Sequence, residues 1–157
     1  MSDTTYTPSR PIIPRLSGLQ ARLGGYGEPL IRITAGLLLM PHGAQKLFGL
    51  FGGGGIPGTA GFFAQIGIEP ALLAAVLAGL TEFVGGLFLA LGLLTRPAAL
   101  AITVLMAVAI FQVHLANGFF WLSAGFEYPL FWGLVAFGFV LRGGGRYSID
   151  ARIGREF

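Results

Sequence analysis

From Pro70 to Ala116 the chain carries only two charged side chains, Glu82 and Arg96. So little charge over that length leaves no water-facing surface. The stretch divides at Arg96 into two apolar runs, each near the roughly 20 residues that one helical membrane crossing requires. Composition agrees: 54% of residues are hydrophobic and 11% charged, with a mean hydropathy of +0.76, whereas a soluble domain has about a quarter charged. A soluble globular protein is excluded. Disorder is excluded by the abundance of apolar residues, and a collagen-like fibre by 26 glycines without a G-X-Y period. What remains is an all-α, polytopic integral membrane protein.

Four spans are predicted, at about 29–50, 70–94, 97–116 and 126–141. The fourth is the shortest, because its strict apolar run from Tyr128 to Leu141 covers only about 21 Å at 1.5 Å per residue. Orientation follows the basic residues. Arg10, Arg15, Arg22 and Arg32 precede or begin span one, Arg96 separates spans two and three, and Arg142, Arg146, Arg152 and Arg155 follow span four. With four spans, nine of the ten basic residues share one side, Lys46 being the exception. A four-helix bundle with both termini in the cytoplasm is predicted. Residues 1–27 form an N-terminal tail, 28–142 the membrane domain and 143–157 a C-terminal tail.

The tail shows no secretory h-region and carries Pro8, Pro11 and Pro14. Ile12, Leu16, Leu19 and Leu23 recur at helical spacing with Arg15 and Arg22 off that face. This fits either a short helix on the cytoplasmic surface or a proline-broken, disordered tail. The glycine run from Phe51 to Gly58 lacks the GK[ST] ending of a phosphate loop and reads as tight turns at the membrane surface.

Ionisable groups inside a bilayer cost about 2.5–3.5 kcal/mol at a helix centre and mark functional candidates. Glu82 lies at the midpoint of span two, on a face with Ala75, Ala78, Gly79, Gly85 and Gly86. Small residues there let another helix approach closely, so Glu82 points into the bundle. A bare carboxylate is disfavoured in that surrounding, so a proton or a cation must accompany it. His42 and Lys46 share a face one turn apart near the outer end of span one, with Gln45 adjoining. His114 ends span three, and Glu127 and Tyr128 begin span four. The set His42, Gln45, Lys46, Glu82, His114, Glu127 and Tyr128 converges on the middle and outer half of the bundle as a candidate polar pocket. For each residue alone a structural role is open: snorkelling for Lys46 and Glu127, packing for the histidines, a helix–helix tie for Glu82.

Other chemistry finds little support. With no cysteine, the chain builds no thiolate metal site, iron–sulfur cluster or disulfide. Haem ligation by two histidines requires matched depth, yet His42 lies about 18 Å along its span and His114 about 25 Å along its own. No spacing specifies a metal site, and none is predicted. The only aspartates, Asp3 and Asp150, fall on the cytoplasmic side, away from both histidines. Basic residues flank a membrane, so nucleic acid is not a partner. At the outer end of spans three and four crowd Phe119, Phe120, Trp121, Phe126, Tyr128, Phe131 and Trp132, either as an interfacial belt or as walls for a flat ring such as a quinone.

Several segments together, His42-Gly-Ala-Gln-Lys-Leu-Phe-Gly49, Glu82-Phe-Val-Gly-Gly86, His114-Leu-Ala-Asn-Gly-Phe-Phe120, Gly125-Phe-Glu-Tyr-Pro-Leu130 and Gly143-Gly-Gly-Arg-Tyr-Ser-Ile-Asp150, resemble the DoxX family of bacterial and archaeal membrane proteins. The resemblance spans about Glu28 to Asp150. It implies a four-helix bundle in the prokaryotic cytoplasmic membrane and a link to quinone-coupled redox work, and it carries no catalytic mechanism. Three functions are carried forward. The first is a quinone-associated subunit of a redox assembly, with no intrinsic cofactor and with partner subunits holding the redox centres. The second is an accessory subunit of a larger respiratory or photosynthetic complex, and the third a proton-coupled transporter of a small solute.

Overall fold

A computed structural model describes residues 12–155. Asp3, Pro8, Arg10 and Pro11 of the tail, and the last two residues, lie outside the described residues. Among those described there is no strand. The helices are α1 (Pro14–Leu23), α2 (Gly27–Phe48), α3 (Gly55–Gln65), α4 (Ala71–Leu91), α5 (Thr95–Asn117), α6 (Glu127–Arg142) and α7 (Ile149–Ile153).

Each of the four predicted apolar segments is helical. By length and composition α4 and α5 can each cross a membrane, and a third crossing is added if the helical stretch Pro14–Phe48 and the one after its 93° bend are one broken span. The helices by themselves therefore support two or three crossings rather than four. The reason is α6: its 16 residues rise about 24 Å, short of a hydrocarbon core of about 30 Å.

Helix ends follow local chemistry. α2 stops at Gly49 and α4 at Gly92, both left-handed, which glycine adopts without a Cβ clash. In the glycine run, Gly49, Gly52 and Gly55 all take positive φ, and they turn the chain into α3. The sequence reading of 51–58 as turns thus covers the entry to a helix it did not anticipate.

The core draws on α2, α4, α5 and α6, with Ala35, Leu39, Leu89, Ile102, Met106, Ala136 and Phe139 in one cluster. α2 and α4 touch backbone to backbone. A Cβ on Gly36 would strike the Gly86 carbonyl, and one on Gly43 would lie 2.7 Å from the Gly79 carbonyl oxygen. With lipid outside, such close packing replaces the hydrophobic drive that joins helices in water. Gly43→Val is therefore expected to lower the unfolding temperature in detergent sharply, since the obstructing atoms are backbone and overpacking costs about 3 kcal/mol. Gly138→Ala, whose Cβ meets nothing within 4 Å, is expected to be neutral or slightly stabilising.

At the other end of α4 the C-terminal segment folds back onto the helices. Arg32 is 1% exposed, and its Nη1 donates to the carbonyls of Leu89 and Ala90 at 2.8 and 2.7 Å while Nη2 reaches Tyr147. It thereby caps the C-terminus of α4 with a positive charge. Asp150, equally buried, accepts from the backbone N–H of Leu94 and of Thr95 and from the Thr95 hydroxyl. It caps the N-terminus of α5 from 55 residues away in sequence and fixes Leu94, a non-glycine residue at φ 47. Gly92 leaves the room, because a Cβ there would strike Ser148 and Arg32.

Candidate functional site

α3 packs against α2 and α4, and residues of all three line a cavity of about 670 Å³. His42 and Lys46 from α2, Glu82 from α4, His114 from α5 and Tyr128 from α6 all line it. Its other walls are mostly apolar, with Phe62 and Phe63 from α3, Trp121 from the segment before α6 and Trp132 from α6 itself. A volume of this size with a few converging polar groups suits a small-molecule ligand.

Both central residues sit where their helix widens. Thr81–Gly85, which holds Glu82, and Ile110–His114, which ends on His114, are π-helical turns. Such single turns insert one extra residue into an α-helix and recur at functional sites. They shift the register of α4 and α5 at the level of the cavity.

Lys46 Nζ donates to Glu82 Oε2 at 2.6 Å. The Glu82 side chain is 7% exposed and Lys46 27%, so the pair is largely shielded, and it ties α2 to α4. The cation that accompanies Glu82 is thus Lys46. His114 Nδ1 lies 2.6 Å from the Ala124 carbonyl oxygen. A carbonyl only accepts, so Nδ1 donates this bond and leaves Nε2 as the ring nitrogen without this tie. Trp121 and Tyr128 stack at 5.5 Å with an interplanar angle of 13°.

Gln45 and Glu127 do not line the cavity. Gln45 Nε2 donates to the Phe51 carbonyl, and Glu127 accepts the Trp121 backbone N–H. Both hold the loops that carry other wall residues, Gln45 ahead of α3 and Glu127 behind Trp121. Sequence reasoning missed Thr59, Phe62 and Phe63 as walls, because an 11-residue helix between two spans looks like any apolar loop. It also placed Arg32 among flanking charges, although Arg32 shares spacing with Ala35, Gly36 and Leu39 on the buried face of α2.

Comparison with known proteins gives the family of the chain. An uncharacterized protein of Haemophilus influenzae is 35% identical over 132 residues, covering 80% of this chain and 89% of its own. A Bacillus subtilis protein named "Putative oxidoreductase CatD" is 33% identical over 104 residues, 66% of this chain and 71% of its own. An uncharacterized membrane protein of Mycobacterium tuberculosis is 34% identical over 141 residues, 80% of each chain. No solved structure gives a significant match. Residues 28–115, which include α2 to α4 and nearly all of α5, match the DoxX family, and the chain belongs to that family of membrane proteins.

Proposed function

We propose that this chain is the membrane subunit of a quinone-linked redox assembly, that it crosses the prokaryotic cytoplasmic membrane four times with both termini inside, and that the cavity beside α3 receives the quinone head group. The observation that carries the reading is the cavity itself: aromatic and aliphatic walls around the His114 ring and a charged pair at Lys46 and Glu82. A flat ring bearing two oxygens fits that donor and acceptor set. The oxidoreductase name of the Bacillus subtilis relative agrees with it.

A bound quinone supplies the electron-accepting ring, and the partner subunits supply the electrons. The residues of this chain position and protonate. Phe62, Phe63, Trp121 and Trp132 exclude water and leave room for a planar group. His114, its ring fixed by the Ala124 carbonyl, would offer Nε2 as a hydrogen-bond partner to a ring oxygen. Lys46 Nζ holds a proton beside Glu82, and His42, one turn from Lys46, faces the same space.

Purification from native membranes in mild detergent, followed by quinone extraction and mass spectrometry, tests this. Stoichiometric quinone is expected, with retention reduced roughly tenfold in His114→Leu, the loss of one good hydrogen bond. A well-folded chain that co-purifies with no quinone sinks the reading. A second reading, an accessory subunit with a structural polar cluster, is favoured by the Lys46–Glu82 tie between helices. Glu82→Gln separates the two. Lost turnover in an intact assembly supports the quinone site, whereas lost assembly with normal turnover per remaining complex supports the accessory role.

A further inference from the structure

α4 and α5 lie together over part of their length. From its π turn at Thr81–Gly85 onward α4 packs on α5, and there Gly85 lies against Ile102. The earlier part of α4, Ala71–Leu80, makes no extended contact with α5. Nor does α3, which packs on α2 and α4, make any with α5 or α6. The helices are therefore parted from Glu82 toward the start of α4, and the cavity occupies the gap. Ala78 and Glu82 line it from α4, Leu105 and Val108 from α5, and Phe62 from α3. Val108 and Phe62 are wall residues that also stay exposed, at 42% and 44%, so they stand at a mouth of the cavity rather than deep inside it.

The depth of this mouth follows from the two helices long and apolar enough to cross a membrane. Val108 is two residues from the middle of α5 (Thr95–Asn117), and Glu82 one residue from the middle of α4 (Ala71–Leu91). At 1.5 Å per residue both lie within about 3 Å of the bilayer midplane, with about 15 Å of hydrocarbon to either side. A mouth at that level meets acyl chains and no water. We infer that the cavity is loaded sideways from the bilayer, by a ligand whose ring reaches Lys46 and Glu82 while one long apolar tail stays in the mouth between Phe62 and Val108. The occupant follows from the chemistry along this path. A water-soluble solute finds no opening at this depth. A phospholipid brings tails, but its head group belongs at the interface, about 15 Å from Glu82. A bare ring leaves the apolar mouth unfilled. A ring with a single hydrocarbon tail suits the charged pair, the aromatic walls and the mouth together.

This inference rests on the quinone reading for the ring and on α4 and α5 crossing the membrane for the depth. The full chain in lipid nanodiscs, with two probes, tests it. The first is a benzoquinone with a ten-carbon tail that ends in a diazirine, and the second is dimethoxybenzoquinone without a tail. Both tryptophans of the chain, Trp121 and Trp132, line the cavity, so quenching of their fluorescence reports ring binding. On illumination the diazirine is expected to label Phe62, Leu105 or Val108, as mapped by mass spectrometry, and an excess of the untagged ten-carbon quinone is expected to abolish the label. Competed label anywhere else, the 119–128 loop included, overturns the side entrance and leaves the quinone site standing. Quenching by the tail-less probe without any competed label does the same. Neither quenching nor competed label overturns both readings. As an independent measure, Val108→Phe narrows the mouth and is expected to slow loading of the tailed quinone roughly tenfold, as followed by stopped-flow quenching. An unchanged loading rate counts against the inference.

Discussion

Lys46→Met is expected to destabilise the protein by about 3 kcal/mol, because it strands the Glu82 carboxylate between α2 and α4 without a cation. The Glu82 side chain is 7% exposed, so water replaces the lost partner only in small part. The informative variant is the double substitution Lys46→Met with Glu82→Leu. Removing both members of a buried pair is close to neutral where the replacements pack well, so the double variant is expected to recover most of the loss. Chemical or thermal unfolding in detergent checks this as a double-mutant cycle. Recovery says that the two charges are retained for function rather than for stability, since an apolar pair holds the helices equally well. Failure to recover says that the ion pair is itself the tie, which favours the accessory reading.

The second large effect lies at the opposite end of α4. Asp150→Ala removes an acceptor bound at 2.8, 2.9 and 2.7 Å to two backbone donors and one hydroxyl. It leaves the first turn of α5 uncapped and Leu94 unsupported at positive φ. Charged hydrogen bonds contribute about 1.5–3 kcal/mol each and are not additive, so a loss of about 4 kcal/mol is expected. Asp150→Asn keeps one acceptor and is expected to lose about half as much. Hydrogen exchange should show where the loss falls: faster exchange at the start of α5, with Arg32 and the end of α4 affected through the shared segment around Tyr147 and Ser148. Unchanged exchange there would mean that the C-terminal segment packs without holding the hairpin.

Much of the site was legible in the sequence because a bilayer makes polar residues conspicuous. Glu82 stands out among alanines and glycines, and its spacing to Ala75, Ala78 and Gly79 already placed it on a packed face; the structure buries all four. His42 and Lys46 one turn apart could only share a side. Gln45 and Glu127 met the same criteria, yet each spends its side chain on a nearby backbone group. Which way a polar side chain turns is settled by loop carbonyls and N–H groups whose positions no local pattern encodes.

By itself the sequence determined the solvent. Its scarcity of charge fixed an all-helical chain, because a backbone in lipid must satisfy its own hydrogen bonds. It also placed α2, α4, α5 and α6 and the small-residue face, but not α3. Tertiary structure alone decided the rest. It set α3 into the wall of the cavity, opened π turns at Glu82 and His114, and brought Asp150 to cap a helix 55 residues away. These depend on contacts between segments distant along the chain. Periodicity reports which face of a helix is buried, but not which partner covers it, nor which polar atoms that partner brings.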